Sequence, residues 1–201
     1  VEIYVHNSPY SAGLWGEIDR LGQEFRQTLT TETLKDISGI AATRQVYRAC
    51  GKDPSRYRPA AEALIRRILQ GKQLYQINTL VDLVNLASIR YGYSIGGFDA
   101  DKFEGDTLTL GVGRAGEPYE GIGRGTINIE GLPVYRDAVG GVGTPTSDHE
   151  RTKIDDNTTH LVVLINGYDG CEADVRANAE YILQLARDYC DGTDGSYYIY
   201  K

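Results

Sequence analysis

The chain of 201 residues is short of several residue types that would have announced a function. It has three cysteines, Cys50, Cys171 and Cys190, far apart and odd in number, with no C-x-x-C and no Cys/His ligand spacing. That pattern argues against a disulfide framework or a structural zinc site and fits reduced thiols in a cytosolic protein. The three histidines, His6, His149 and His160, show no H-E-x-x-H spacing, so no metal centre and no cofactor are expected. Methionine is absent, and nothing about function follows from that. No apolar run approaches the roughly 18 residues that a membrane-spanning helix needs, and no signal-like h-region opens the chain. The expectation is a cytoplasmic protein with no membrane partner.

What is present is less ordinary. Tyrosine occurs 15 times against three phenylalanines, and rings with a polar tip suit partly wet surfaces and pocket walls. The net charge of −7 hides an asymmetry. Between Arg44 and Lys72, the basic residues Arg44, Arg48, Lys52, Arg56, Arg58, Arg66, Arg67 and Lys72 stand against only Asp53 and Glu62. Such a segment on an acidic protein attracts phosphates, while most charge runs are solvated helix faces.

The periodicities place helices first. Leu14, Ile18, Leu21 and Phe25 mark an amphipathic helix over 14–29, and 41–50 reads as a second that stops at Gly51. Pro59 suits a helix start and Gly71 a left-handed stop, with Leu64, Ile65, Ile68 and Leu69 as the stripe between them. A further helix runs from Thr79 to Tyr91, capped by Thr79 and Asp82 and apolar on nearly all sides. Its one unexplained polar residue is Asn85. Strands are expected at 1–5, 107–112, 126–130, 133–136 and 160–166, and a last amphipathic helix over 172–189. Helices followed by strands and a helix indicate an α+β fold of layered sheets packed with helices. Residues 1–40 are expected to extend the domain formed by 41–201.

Three local patterns carry little chemistry by themselves. Ser147, Asp148 and His149 are triad letters, but sequence neighbours do not face one another. The glycine-rich stretch VGGVGTPTSDHERTK lacks the GK[ST] ending of a phosphate loop, although its glycines permit close approach of a ligand. Gly96 and Gly97 form a turn after the central helix, followed by the acidic cluster Asp99, Asp101 and Glu104.

Together, RQVYRACGKDPSRYRPAAEALIRRILQGKQLYQIN, LVDLVNLASIRYGYSIGGFDADKFEGD and SDHERTKIDDNTTHLVVLIN form a recognisable series. It resembles, over roughly residues 40–170, the tRNA-binding and editing domain of the bacterial phenylalanyl-tRNA synthetase beta subunit, here free-standing. Val81-Asp82-Leu83-Val84-Asn85 and Phe98-Asp99-Ala100-Asp101-Lys102 match that family's VDVTNYVMLExGQPMHAFDLDK at the same spacing. The resemblance implies an α+β fold, tRNA or aminoacyl-tRNA as partner, and hydrolysis of a mischarged aminoacyl ester in trans without a covalent nucleophile. It implies no aminoacylation site. Asn85 would contact the ligand, and Gly96 and Gly97 would form the pocket rim. Arg44, Arg48, Arg56, Arg58, Arg66 and Arg67 would contact phosphates.

The departures are specific. Val84-Asn85 stands in place of Thr-Asn, and Gly96-Gly97-Phe98-Asp99 in place of His-Ala-Phe-Asp. Where the family has a pocket glutamate in a GGxxSEVxxDT-like stretch, Arg151 or Lys153 stands as the anion partner. A pocket that exchanges a histidine and a carboxylate for glycine and a cation suits a more anionic ligand. The alternative to an enzyme is a non-catalytic module that binds a free amino acid or similar small molecule.

Overall fold

Two antiparallel sheets meet at a seam, and helices cover the far face of one of them. The computed structural model describes residues 1–201. The first sheet has the order β2 (Ile95–Asp99), β8 (His160–Ile165), β1 (Glu2–Tyr4) and β9 (Thr193–Ser196). The second has β3 (Thr109–Val112), β6 (Pro133–Arg136) and β7 (Gly141–Gly143), and a small ribbon joins β4 (Glu120–Gly121) to β5 (Gly125–Thr126). The architecture is α+β.

Five helices supply the rest: α1 (Ala12–Thr28), α2 (Ser38–Ala49), α3 (Ala60–Leu69), α4 (Thr79–Tyr91) and α5 (Glu172–Tyr189). The apolar stripes of α1, α3, α4 and α5 bury Leu14, Ile18, Ile65, Leu83, Leu86, Ile182 and Leu185 against Ile3, Leu161 and Val163 of the first sheet. Non-directional burial of this kind is the main favourable term in folding. A smaller core of Tyr47, Tyr119, Ile129, Leu132 and Val134 lies between α2 and the second sheet.

Helix α4 is the central one, yet its start differs from the expected cap. The cap is Asn78, whose side chain accepts from Val81 N–H at 3.0 Å. Asp82 instead accepts from the Trp15 indole at 2.7 Å and from Ile77 N–H at 3.2 Å, fastening α4 to α1. Gly92 then ends α4 at φ 72°, where only glycine sits without strain.

The Gly96-Gly97 pair is strand rather than turn. Gly96 pairs with Leu164 and Gly97 with Val163 in register along β2 and β8. A Cβ on Gly97 would meet Val84 of α4 and Ile154 at 3.1 and 3.0 Å, while one on Gly96 would meet the Phe98 ring at 2.6 Å. Glycine is here for close approach on both faces of a strand, so the turn signal misleads. β2 is the outer strand of its sheet, and its unpaired edge is where the second sheet comes in.

Candidate functional site

The carboxyl of Asp148 sits in the seam between the sheets. The chain reaches it from β7 through the tight turn Thr144–Ser147, closed by Thr144 N–H donating to Ser147 C=O at 3.1 Å. That turn is docked on the helices: Tyr47 and Thr146 share a hydroxyl bond of 2.8 Å, and Ala60 N–H donates to Pro145 C=O at 2.8 Å. Asp148 then runs antiparallel to Gly143.

Its surroundings are nearly apolar. Cβ atoms built on Gly96 of β2 and Gly143 of β7 would each fall 3.0 Å from Asp148 Oδ1 and within 2.6 Å of the Phe98 ring. Two glycines, one from each sheet, therefore make room for the carboxyl and for the buried Phe98. Gly97 N–H, on the free edge of β2, donates to Oδ2 at a long 3.3 Å, and Oδ1 has no protein partner. No cation pairs with Asp148. Burial pushes its carboxyl up to about 8, with the Gly97 bond pulling weakly the other way. A carboxyl poised near neutral pH can both take and return a proton.

The neighbours of Asp148 serve the scaffold. His149 points the other way along the extended chain, its ring edge-on to Tyr119 at 4.9 Å. Its Nδ1 accepts from Arg151 N–H at 3.0 Å, and burial, then Arg151, hold it below the ordinary histidine value. Ser147 C=O accepts from Tyr119 Oη at 2.8 Å. Ser147, Asp148 and His149 thus form no triad.

The residues expected in the pocket are only partly assembled. Gly96 lies against Asp148, and Gly97 supplies its one N–H bond. Asn85 is half-buried on α4, one position beyond the Val84 that packs on Gly97, and makes no hydrogen bond to the protein. It is not the buried amide the sequence suggested. Arg151 is committed elsewhere, gripping Asp137 with two bonds of 2.9 Å and donating to Lys102 C=O. Lys153 pairs with Glu150, and its backbone bridges Phe98 at the edge of β2.

The basic segment is mostly structural. Arg44 is buried and holds Glu62 at 2.8 Å; Arg58 and Arg66 lean on the same carboxylate. Lys52 is buried too, donating to the carbonyls of Asn128 and Glu130 with its ammonium 3.8 Å above the Tyr57 ring. Arg67 stacks on Tyr75 at 3.9 Å and donates to Gln73 C=O. Arg48, Arg56 and Lys72 are left exposed and without an ion pair, Arg56 lying 5.8 Å from the centre of the Tyr57 ring. Arg44 is therefore removed from the expected phosphate contacts by its burial, and Arg67 is already partnered.

Two surface hollows lie away from the seam. One of about 280 Å³ is lined by Trp15, Asp19, Arg26 and Lys72 among others, and one of about 460 Å³ by Glu117, Pro118 and Thr126 among others. Neither touches Asp148, and no cluster of His, Cys, Asp and Glu could hold a metal ion.

Asp148 and Gly143 were missed in the sequence. The signal available was the Ser147-Asp148-His149 stretch within the glycine-rich segment. Arg151 is paired with Asp137 and Lys153 with Glu150, so neither cation stands unpartnered as the expected anion contact.

The B3/4 domain profile matches residues 42–186. Curated proteins give no match.

Proposed function

The chain belongs to the B3/4 domain family, the domain found in the phenylalanyl-tRNA synthetase beta subunit, and on that premise we propose that it binds aminoacyl-tRNA and hydrolyses the aminoacyl ester in trans. The observation that carries this reading is the Asp148 carboxyl, uncompensated by any cation and shifted up to about 8 by burial. In its ionised form it takes a proton from a water attacking the ester carbonyl. The tetrahedral adduct then collapses, the ester C–O bond breaks, and the proton passes from Asp148 to the leaving ribose oxygen. No covalent intermediate is required. Gly97 N–H holds the carboxyl, Gly96 and Gly143 leave room for it, Asn85 contacts the amino acid, and exposed Arg48 and Arg56 meet phosphates.

The test is deacylation of a panel of correctly and incorrectly charged tRNAs, with Asp148→Asn and Asn85→Ala alongside. Ester loss that rises with pH as Asp148 ionises, and that Asp148→Asn removes, supports the reading. No loss above buffer for any tRNA sinks it. The unpaired carboxylate also favours a second reading, a binder of a free amino acid, because an ammonium group would complete it. Calorimetric binding of an amino acid without turnover of any charged tRNA would select that module.

A further inference from the structure

Glu62, on the first turn of α3, is 1% exposed and is the meeting point of three guanidinium groups. Arg44 Nη1 lies 2.8 Å from Oε2, while Arg66 Nη2 and Arg58 Nε lie 3.3 and 3.5 Å from Oε1. One carboxylate is fully matched by one bidentate arginine. Here three share it, so the cluster keeps a surplus of two positive charges.

The three arginines are not equivalent. Arg44 is buried and directs its remaining donors to Ser55 Oγ and Pro54 C=O, which makes it a strut. Arg58 and Arg66 keep side chains 39% and 23% exposed. Arg66 Nη2 bonds only Glu62, while Arg58 is ion-paired with that carboxylate but makes no hydrogen bond, and the Nε of each is a buried donor without a partner. Because both rest on the same oxygen, their contacting nitrogens are within about 7 Å of each other. Like charges at that distance repel, and no carboxylate other than Glu62 lies within ion-pair distance of either.

Their place in the fold matters as well. Tyr57 C=O, next to Arg58, accepts from Thr146 Oγ1 at 3.3 Å, and Ala60 N–H bonds Pro145. The residues on both sides of Arg58 are therefore bonded to the turn that delivers Asp148. We propose that Arg58 and Arg66, tethered by Glu62 and braced by Arg44, form a site for a single phosphate group beside the Asp148 seam. The free guanidinium ends present paired N–H donors, the geometry that suits phosphate oxygens. The phosphate is that of a nucleic-acid end or a free phosphate; assigning it to the tRNA acceptor end rests on the proposed function. Glu62 is a positioning residue, since it sets where the two cations meet.

Two measurements on the full chain test the site. The first is the thermal midpoint with inorganic phosphate against chloride at equal ionic strength. The second is binding of an uncharged acceptor-stem minihelix as a function of salt. Phosphate should raise the midpoint of the wild type, and Arg58→Gln or Arg66→Gln should each abolish that shift. Each variant should also lower the slope of log affinity against log salt by about 1, while Arg176→Gln, paired with Glu172 on α5, leaves both readings unchanged. A phosphate shift that needs Arg58 and Arg66, without minihelix binding, supports the site for free phosphate while counting against the tRNA reading. Absence of a phosphate shift, with minihelix binding indifferent to Arg58→Gln and Arg66→Gln, overturns the site and leaves ester hydrolysis standing.

Discussion

Asp137 and Asp148 flank β7, one before it and one after, and the protein handles their charges in opposite ways. Burial pushes Asp137 up, but Arg151 and the N–H groups of Glu104, Gly140 and Val139 outweigh it and hold the carboxyl down at about 2. Asp148 receives one long N–H bond, no cation and an apolar wall, and burial carries it up to about 8. The same residue type is an anchor in the first place and, on the proposed function, a proton-handling group in the second. The difference lies in the partners: Asp137 has a cation and three N–H donors where Asp148 has a single long N–H bond.

The comparison can be broken from either side. The largest effect should fall on activity: Asp148→Asn is expected to lower deacylation by a factor of about 10² to 10⁴, the usual worth of a positioned acid–base group, read as ester loss from a mischarged tRNA. Gly143→Ala should force its new methyl into Phe98 and Asp148. Overpacking of this kind costs about 1–3 kcal/mol, measurable as a fall in the urea midpoint, and activity should fall with it. Arg151→Gln leaves Asp137 without its cation and should destabilise by about 2 kcal/mol, discounted from the cost of breaking a buried pair because Arg151 is partly exposed.

Stability against pH should separate the two aspartates by sign. The folded value of Asp148 lies above its unfolded value, so the folded state binds the extra proton. Its contribution is complete below about pH 4 and is lost as pH rises toward 8, with a slope of up to about 1.4 kcal/mol per pH unit. Asp137 has the opposite shift; its contribution is present above about pH 4 and is lost as pH falls through 2. Denaturant titrations from pH 2 to 9 on the wild type and Asp148→Asn should show the variant losing only the upper dependence. The smallest effect serves as a reference: Gly16 is inside α1 with no atom within 4 Å of a Cβ, and Gly16→Ala should stabilise by about 0.5–1 kcal/mol without altering activity.

Sequence patterns were informative where burial follows a period. The stripe of α5, the bounds Glu172–Tyr189, and β6 at Pro133–Arg136 appear where the alternation put them. The α+β class follows from the same patterns. β2 and β7 were not legible, because both are built on glycines whose purpose is a contact with Phe98 and Asp148 from other parts of the chain. Local propensity carries no record of such a contact. The basic segment misled for a related reason. A sequence shows the charge of Arg44 and Lys52 but not the Glu62 carboxylate or the backbone carbonyls that absorb it.

The position of β1 has a consequence in time. It lies between β8 and β9, so residues Glu2–Tyr4 find their first hydrogen-bonded neighbour only when His160–Val162 arrive. At a synthesis rate of roughly 5–20 residues per second, that strand waits on the order of ten seconds or more. During the wait the helices can form and pack locally, but the first sheet lacks its inner strand. Pairings of such long sequence separation slow folding, and an emerging chain would present unsatisfied strand edges for that whole interval.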